Sequence, residues 1–441
     1  MDVRINVETT TEAGEKRKQQ IIRFKLPGQC HGDLGLKLEH SKVLLAQLQL
    51  AIIQHQIEEI SDASRSCPCC GRTMPIHDYR TRVLDTLFGR FPLRVPRRKC
   101  FCRRGKGGSL SPLSQVFRDR VTPELKLLQA EMGARHSFRE AARILETFLP
   151  CAKQHNTTVR NRLGKVAKAI ADEAPPICES QKSHPLTVFI DGAHVRCRPE
   201  YQKRHLDVVV GKKETHEMCR RLGLSPQAAT SPVSQIRRDL DALGWDERRP
   251  ITVISDGKAA LPNLIRNAAR GKVRHILDWW HISMRVKHVE NAISGLVQRK
   301  DFPGTTAILM TPVESLRWNL WHGKAQTVGT HLQWLMDDCA RLAKYDLAVR
   351  DQAQRALSRC QYLHSYLANN RGSLINYGWR YRRGLPISTS RAEGCVDDIG
   401  NARMGKRRRM RWSPEGAHNV AVARAAALDG RLTVFDTTMA A

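Results

Sequence analysis

The chain has 441 residues and a formal net charge of +30, because 73 lysines and arginines stand against 43 aspartates and glutamates. This balance is typical of a protein that binds a polyanion such as nucleic acid, since neutralising phosphates releases condensed counterions, although it indicates a partner and not an activity. The sequence has neither an apolar run that could span a membrane nor a signal-peptide core, which argues against membrane and secreted classes and predicts a cytoplasmic protein whose 13 cysteines are reduced or bound to metal.

Residues 1–62 are predicted to form an N-terminal segment with one amphipathic helix. Residues 1–30 are mostly polar, and we expect them to be poorly ordered. From Ser41 to Ile60, apolar residues recur at helical spacing. They are Leu45, Leu48, Ile52, Ile53, Ile57 and Ile60. Packing of this stripe against the rest of the chain is the simpler interpretation, and a dimerisation helix is the alternative that the sequence leaves open.

A zinc-binding module is predicted over residues 63–118. The stretch CPCCG gives Cys67 and Cys70 the spacing of a zinc knuckle, and KCFC supplies Cys100 and Cys102 after a hairpin of alternating strands. Four thiolates can hold one structural Zn²⁺, and they leave no open coordination position for chemistry. Isolated reduced cysteines are the alternative, because the second pair is CxC and Cys69 is a spare candidate.

Residues 119–175 are predicted to form three helices with the spacing of a helix-turn-helix DNA-binding domain. Ser137 and Glu140 make a capping box at the start of the second helix. The third helix, TTVRNRLGKVAKAI, would enter a major groove. Its exposed basic face carries Arg160, Arg162, Lys165 and Lys168. A plain three-helix bundle with a solvated basic face is the alternative.

Two apolar strands further along the chain run into acids. In LTVFIDG the strand ends at Ile190 and Asp191 follows, and in ITVISDG the strand is followed by Asp256. Asp-Gly is a common turn dipeptide. An acid at the end of a central strand, with a glycine that lets a phosphate or metal approach, is also where sheet enzymes hold ligands. Further strands over 204–214 and 273–277, with helices over 231–244 and 257–270, predict a multi-domain α/β protein with a central sheet.

The chain resembles the DDE transposases of bacterial insertion sequences, in particular the zinc-knuckle group related to the ISL- and Kra-type elements. The motifs that carry the resemblance lie in order from Cys67 to Arg424 and are CPCCG…KCFC, FIDGAH, VISDG, DWWHISMRVKHV, TSRAEG and RWSPEGAHNVAVAR. The resemblance implies an RNase H-like mixed-sheet core over 184–282 and 386–441, with a helical insertion domain over 283–385. It also implies a bacterial, nucleoid-associated protein.

The resemblance assigns the site residues. The catalytic acids would be Asp191, Asp256 and Glu393, and the C/DxxH signature would be Asp278 and His281. Two Mg²⁺ or Mn²⁺ ions would balance the three carboxylates and assist displacement at a phosphate. Glu393 also completes a capping box with Ser390, which is a purely structural alternative for that acid. Trp279 and Trp280, which precede His281, are typical of a core.

A block of bases follows the proposed third acid. It consists of Lys406, Arg407, Arg408, Arg409 and Arg411, which we expect to contact DNA, with a solvated charge run as the alternative. Asp397 and Asp398 are expected to form salt bridges with these arginines. The expected function is a transposase that binds the terminal inverted repeats of its element in double-stranded DNA, then cleaves and transfers strands as a homo-oligomer. A non-catalytic DNA-binding regulator and an RNase H-like nuclease or resolvase are the alternatives.

Overall fold

The structure is a computed structural model that describes residues 1–11, 14–25, 35–67, 69–102, 109–172, 185–215, 218–229, 231–245, 250–270, 272–298, 303–405 and 408–432. For Gln115 and residues 303–308 and 391–393 only the backbone is described. These parts of the chain form a mixed α/β protein with several sheets. They divide into two compact units, Met1–Val166 and Ala167–Arg431.

In its described residues, the first unit contains five strands and most of five helices. The strands are β1 (Asp2–Thr10), β2 (Lys16–Lys25), β3 (Ile76–Thr86), β4 (Gly89–Lys99) and β5 (Ser109–Leu110). The helices are α1 (Leu38–Ala63), α2 (Pro112–Val116), α3 (Pro123–Arg135), α4 (Phe138–Phe148) and α5 (Asn156–Asp172), and α5 continues into the second unit.

The N-terminal residues form an antiparallel hairpin of β1 and β2. The expectation of poor order is therefore wrong for residues 1–11 and 14–25. Helix α1 is longer than predicted, and its later half packs on β3 and β4, where Ile53 and Ile57 are buried against Leu84 and Phe91. Its earlier half is less covered, since Leu45 is 37% exposed. The packing interpretation of the apolar stripe is thus confirmed for the later half of the helix.

Strands β3 and β4 form a second antiparallel hairpin, to which β5 adds at the far edge. The pairing runs from Ile76 opposite Arg98 to Thr86 opposite Gly89. The hairpin therefore returns the chain to the end where it began, so cysteines that precede β3 meet cysteines that follow β4.

Helices α3, α4 and α5 pack around small residues. Ala141, Ala142 and Val159 form their common core. A side chain at Gly133 would lie 3.1 Å from a methyl of Val159, so this glycine permits the close approach of α3 and α5. The predicted cap of α4 is confirmed in its serine half, because the hydroxyl of Ser137 accepts a 3.2 Å hydrogen bond from the Glu140 amide.

The second unit contains five strands, which are β6 (Leu186–Arg196), β7 (His205–Glu214), β8 (Cys219–Leu224), β9 (Ile251–Ser255) and β10 (Val273–Leu277). The helices are α6 (Pro232–Ala242), α7 (Ala260–Ala269), α8 (Trp279–Val297), α9 (Pro303–Trp321), α10 (Ala325–Tyr345), α11 (Arg350–Asn369), α12 (Tyr377–Arg382), α13 (Ser390–Cys395), α14 (Ala402–Met404) and α15 (Pro414–Leu428). A π-helical segment, Val396–Asn401, joins α13 to α14, and 3₁₀ turns occupy Pro199–Tyr201 and Arg371–Ser373.

The strands of this unit form one sheet in the order β10-β9-β6-β7-β8. Strands β10, β9 and β6 are parallel, whereas β7 and β8 are antiparallel to their neighbours. Helix α7 makes the crossover between parallel β9 and β10, as such connections require. The strands predicted over 204–214 and 273–277 are confirmed as β7 and β10.

The two faces of the sheet are buried in different cores. Alternate residues of β6, such as Val188 and Ile190, face α6 and α7. On the opposite face, Phe189 of β6 and Ile254 of β9 pack with helices α8 to α11. The helices of the predicted insertion therefore share their hydrophobic core with the sheet.

Candidate active site and metal centre

Asp191 lies inside β6 and not at its end. The strand continues to Arg196, and Asp191 pairs with Val210 of β7. The expectation that the strand ends at Ile190 is therefore wrong, and the Asp-Gly pair there is not a turn. Asp256 does follow the last residue of β9, and Gly257 begins a turn with a φ of +93°.

The register of two parallel strands brings Asp191 and Asp256 together. Phe189 of β6 is paired with Ile254 of β9, and each acid lies two residues further along the chain, Asp191 within β6 and Asp256 just after the end of β9. Side chains two residues apart point to the same face, and neighbouring strands are separated by about 4.8 Å. Both carboxylates are thus on the face of the sheet that packs against α8, at the carboxyl ends of β6 and β9.

The two acids affect each other electrostatically. Burial raises the pKa of Asp191; a 2.7 Å hydrogen bond from the Gly192 amide opposes this effect, and the negative charge of Asp256 adds to it. Lys258 supplies part of the missing positive charge, with its Nζ 4.0 Å from Oδ2 of Asp256. Its side chain is more than half exposed, so it screens the acids incompletely.

Asp278 is fully buried and holds two elements together. It caps α8 by accepting hydrogen bonds from the amides of Trp280 and His281, at 3.1 and 3.3 Å. It also accepts bonds of 2.9 Å from both the amide and the hydroxyl of Thr389, the residue before α13. Burial would raise the pKa of Asp278, but the bonds from His281 and Thr389 outweigh it and lower that pKa. The carboxylate therefore fixes the start of α13 against the start of α8.

His281 connects this network to the strand acids. Its Nδ1 lies 2.5 Å from Oδ2 of Asp278. Burial lowers the pKa of His281, but the bond to Asp278 and the charges of Asp278, Asp256 and Asp191 outweigh burial and raise it. The predicted accessory pair is therefore brought to the same place as the first two predicted acids. Its tryptophan neighbours differ, because Trp279 packs in the core whereas Trp280 is 45% exposed.

Glu393 is placed by its backbone alone. Helix α13 packs against β6 and β7, so the helix lies beside the strand that carries Asp191. The side chain of Glu393 is outside the described residues, and neither its predicted catalytic role nor its capping role is tested. Helix α13 begins at Ser390 itself.

The side-chain amide of Asn401 donates a 2.8 Å hydrogen bond to Asp397, and the described arginines 408, 409 and 411 make no ion pair with Asp397 or Asp398.

The residues that support Asp256 were missed by sequence reasoning. The hydroxyl of Tyr366 on α11 donates a 3.0 Å hydrogen bond to the Asp256 carbonyl. Asn370 packs against Gly257, where an added Cβ would lie 3.0 Å from its amide. These residues lie more than 100 positions from Asp256, and no local motif marks them.

A buried polar chain lies directly behind the same turn. Ser255 binds Nε2 of His275 at 2.8 Å, and Nδ1 of His275 binds the hydroxyl of Ser373 at 2.6 Å. Burial, together with the charge of Arg266, lowers the pKa of His275 to about 4. The imidazole is therefore neutral at physiological pH, and it links β9, β10 and the turn after α11.

The described acids fit a hard divalent cation. Asp191 and Asp256 offer carboxylate oxygens, which Mg²⁺ and Mn²⁺ prefer. The pKa of Asp191 is raised mainly by burial, and the negative charge of Asp256 beside it adds to that effect. A cation between β6 and β9 would lower that pKa.

A second candidate metal centre is formed by the predicted cysteines. The sulfurs of Cys67, Cys70, Cys100 and Cys102 all lie within 4.8 Å of one another. Two of the separations are 4.0 Å (Cys67 to Cys102) and 3.6 Å (Cys70 to Cys100). A tetrahedral zinc with bonds of about 2.3 Å places its sulfurs about 3.8 Å apart. This cluster can hold a zinc ion, and Cys69 is not part of it.

Hydrogen bonds from the backbone already favour a thiolate in the cluster. The amides of Cys69 and Cys70 lower the pKa of Cys67 to about 6. A thiolate is the form that binds metal. The knuckle turn thus prepares Cys67 as a ligand before any ion arrives.

The predicted DNA-contacting bases lie on exposed surfaces where they are described. Arg160 and Lys165 on α5 are exposed, and Arg162 is half-buried. Arg408, Arg409 and Arg411 are exposed or nearly so, whereas Lys406 and Arg407 lie outside the described residues. Just after these arginines the chain is hydrogen-bonded to β6, because the amide of Trp412 donates a 2.9 Å hydrogen bond to the Arg196 carbonyl.

Comparison with known proteins gives no family. No protein-family model matches the chain. No curated protein matches it either. Among the described helices, none is both long enough and apolar enough to cross a bilayer.

Proposed function

We propose that the protein is a DDE-type transposase of a bacterial insertion sequence. In this proposal the second unit is an RNase H-like catalytic core, helices α3 to α5 are a helix-turn-helix, and the cysteine cluster is a structural zinc knuckle. The enzyme would bind the terminal inverted repeats of its element in nucleoid DNA. It would then cleave and transfer strands as a homo-oligomer, with Mg²⁺ or Mn²⁺.

The observation that carries the proposal is the adjacency of Asp191 and Asp256. The sheet order, with three parallel strands followed by two antiparallel ones, supports an RNase H-like core. Asp191 lies on β6 and Asp256 directly follows the neighbouring strand β9, each two residues beyond the registered pair Phe189 and Ile254. A pair of acids retained only for turns would not need a shared register, and Asp191 is not in a turn at all.

The position of helix α13 supports the assignment of Glu393 as the third catalytic acid. Its backbone packs on β6 and β7, and Thr389 at its start is bound by the buried Asp278. Asp278 therefore acts as a positioning residue in the proposal, because it fixes the start of α13, the helix on which Glu393 lies. Mg²⁺ or Mn²⁺ held by Asp191, Asp256 and Glu393 would polarise the phosphate and activate the attacking oxygen. His281, whose pKa is raised, would add positive charge beside the bound phosphate.

The charge of the second unit supports a DNA partner. The Trp412 amide donates a hydrogen bond to Arg196, five residues beyond Asp191 on β6, which corresponds to about 17 Å of strand. Arg408, Arg409 and Arg411 lie at the surface in the segment that leads to Trp412. A duplex engaged at the acids would cover this distance in about half a helical turn. These arginines would then contact its phosphates.

The test is cleavage of a transposon end. The purified full chain is incubated with Mg²⁺ and a duplex that carries the inverted repeat flanking its gene, and the release of a 3′-hydroxyl and its joining to a target are followed. Asp191→Asn is expected to lose both steps and to keep end binding. Asp397→Asn, an exposed acid on the helical segment that follows α13, is the matched control and should retain both. Normal cleavage by Asp191→Asn would falsify the assignment, and cutting of junctions without joining would identify a resolvase instead.

A further inference from the structure

A small cavity at the β8 side of the sheet is lined by arginines that the proposed active site does not use. Its volume is about 20 Å³, enough for a water molecule or a compact ion. It lies between β8, α6, α15 and the last turn of α5. Its charged lining residues are Arg220, Arg221, Arg238, Arg431 and Asp239. Strand β8 is separated from β6 by β7, so this cavity is not part of the Asp191 site.

Among the described residues around the cavity, the acids are fewer than the bases. Asp239 is shared by the fully buried Lys213 and by Arg220, whose Nε lies 3.3 Å from its carboxylate. Asp429 is likewise shared by two bases. Its carboxylate lies 2.9 Å from Arg221 and 3.5 Å from Arg431.

Arg238 adds a further positive charge with little compensation. Among the described residues it pairs with the acid Asp172, which is 4.0 Å away and has an 80% exposed side chain. An exposed pair of this kind is screened by water and contributes little. Within the described part of the chain, the carboxylates of Asp239 and Asp429 therefore face four bases, and Arg238 contributes a fifth positive charge at the rim.

Two of these guanidinium groups also have unused hydrogen-bond donors. The Nε atoms of Arg220 and Arg431 are both buried, and neither makes a hydrogen bond to an acceptor among the described residues, although Asp239 is close to the first. Leaving a buried donor of a charged group unsatisfied is unfavourable, because the group loses its bonds to water without replacement. Burial and the charge of Arg220 lower the pKa of Arg431 despite its two neighbouring acids. The cavity thus combines excess positive charge with unused donors.

We propose that this cavity is a binding site for one phosphate group, held by Arg220 and Arg431 and flanked by Arg221 and Arg238. A compact tetrahedral dianion matches the excess of positive charge and offers acceptors to both unused Nε donors. The cavity is too small for a base or sugar. The ligand is therefore inorganic phosphate or a single backbone phosphate of DNA. The inference does not depend on the proposed transposase activity.

The experiment measures thermal unfolding of the full chain in phosphate-free buffer, with phosphate replacing chloride at constant ionic strength. The wild type is expected to gain about 2–5 °C at ten times the phosphate Kd. Arg431→Gln and Arg220→Gln are each expected to lose most of that gain. Lys272→Gln removes an exposed lysine elsewhere in the second unit and should behave as wild type, which controls for general binding of phosphate to a basic protein. Two variants are used so that a folding defect in one leaves the other informative.

Duplex binding distinguishes the two sources of phosphate. If a DNA phosphate occupies the cavity, Arg431→Gln weakens duplex binding at all sequences and reduces the salt slope by about one. If free phosphate occupies it, duplex binding is unchanged while the thermal gain is lost. The proposal is overturned if wild type, both cavity variants and the lysine control respond equally to phosphate and bind duplex equally.

Discussion

The hydroxyl of Tyr366 donates a 3.0 Å hydrogen bond to the main-chain carbonyl of Asp256, 110 residues earlier in the chain. Tyr366 lies on α11, inside the predicted helical insertion, and Arg285 of α8 stacks on its ring at 4.0 Å. The insertion therefore holds the turn that carries the second acid. Its helices would be part of the scaffold of the proposed active site, because they share a core with the face of the sheet on which the acids lie.

Replacing Tyr366 by phenylalanine removes only the hydroxyl of this contact. The Asp256 carbonyl then loses a partly buried donor, and we expect the free energy of unfolding to fall by about 1 kcal/mol. End cleavage should decrease without being abolished, because the carboxylate remains but its turn is less constrained. Urea unfolding and the cleavage assay measure these effects.

Tyr362→Phe is the matched control for this change. Tyr362 lies one helical turn earlier on α11, contacts the same Arg285 at 4.8 Å, and is 57% exposed. Its loss should leave stability and cleavage near wild type. Equal effects of the two substitutions would show that the bond to Asp256 has no special role.

The strands that carry the acids could be predicted from the sequence, because apolar runs over 186–190, 251–255 and 273–277 have few alternatives to a buried sheet. The true end of β6, beyond Asp191, could not be predicted. Residues after it alternate between buried and exposed positions, and their pairing with β7 extends the strand to Arg196. The contact of Tyr366 with Asp256 depends on the packing of α11, which no local pattern encodes.

The N-terminal hairpin was missed for a related reason. Strands β1 and β2 bury few side chains, with Phe24 the one buried residue among them, so their sequence lacks the apolar signal on which strand prediction depends. Main-chain pairing over nearly their whole length forms them instead. The cysteine cluster, in contrast, was predictable because the ligand spacing and the hairpin between the pairs are both visible in the sequence.

Asp278→Asn is expected to destabilise the second unit by about 3 kcal/mol. The buried carboxylate accepts five hydrogen bonds from Trp280, His281 and Thr389, and an amide has one oxygen and brings two donors of its own. The pKa of His281 should also fall, because the group that raises it most is neutralised. Urea unfolding and an NMR titration of His281 measure the two effects.

A surface pair provides the control for Asp278. His194 and Asp207 are also in contact, at 2.9 Å, but both side chains are more than half exposed. Asp207→Asn should change the free energy of unfolding by no more than about 0.5 kcal/mol. If both variants lost the same stability, burial of Asp278 could not be the reason for its effect.

Cys67→Ser is expected to remove zinc from the first unit, and Cys69→Ser is expected to keep it. Cys67 belongs to the four-sulfur cluster, whereas Cys69 is its exposed neighbour outside it. Elemental analysis should give one zinc per chain for wild type and Cys69→Ser. Removal of the ion by a chelator should lower the unfolding temperature of both, because binding free energy is folding free energy at such sites. Equal zinc content in the two variants would rule out the proposed ligand set.

The stability of the second unit should fall as pH decreases from about 6.5 to about 4, because of His275. Its pKa is lowered to about 4 when folded, mainly by burial and also by Arg266, against an opposing effect of Asp256. Between these two pH values the unfolded chain binds a proton that the folded chain does not, so protonation favours unfolding. Above 6.5 neither state is protonated and the full stability is present.

The expected loss over this pH range is about 3 kcal/mol, since one pKa unit corresponds to about 1.4 kcal/mol. His275→Gln keeps a polar side chain between Ser255 and Ser373 and cannot titrate, so its unfolding free energy should depend less on pH across the window. The pKa of buried His418 is also lowered by burial. In both proteins this histidine therefore adds a further decrease in the unfolding free energy as pH falls. Parallel pH profiles for wild type and His275→Gln would contradict the assignment, because the difference between the two curves is the contribution of His275 alone.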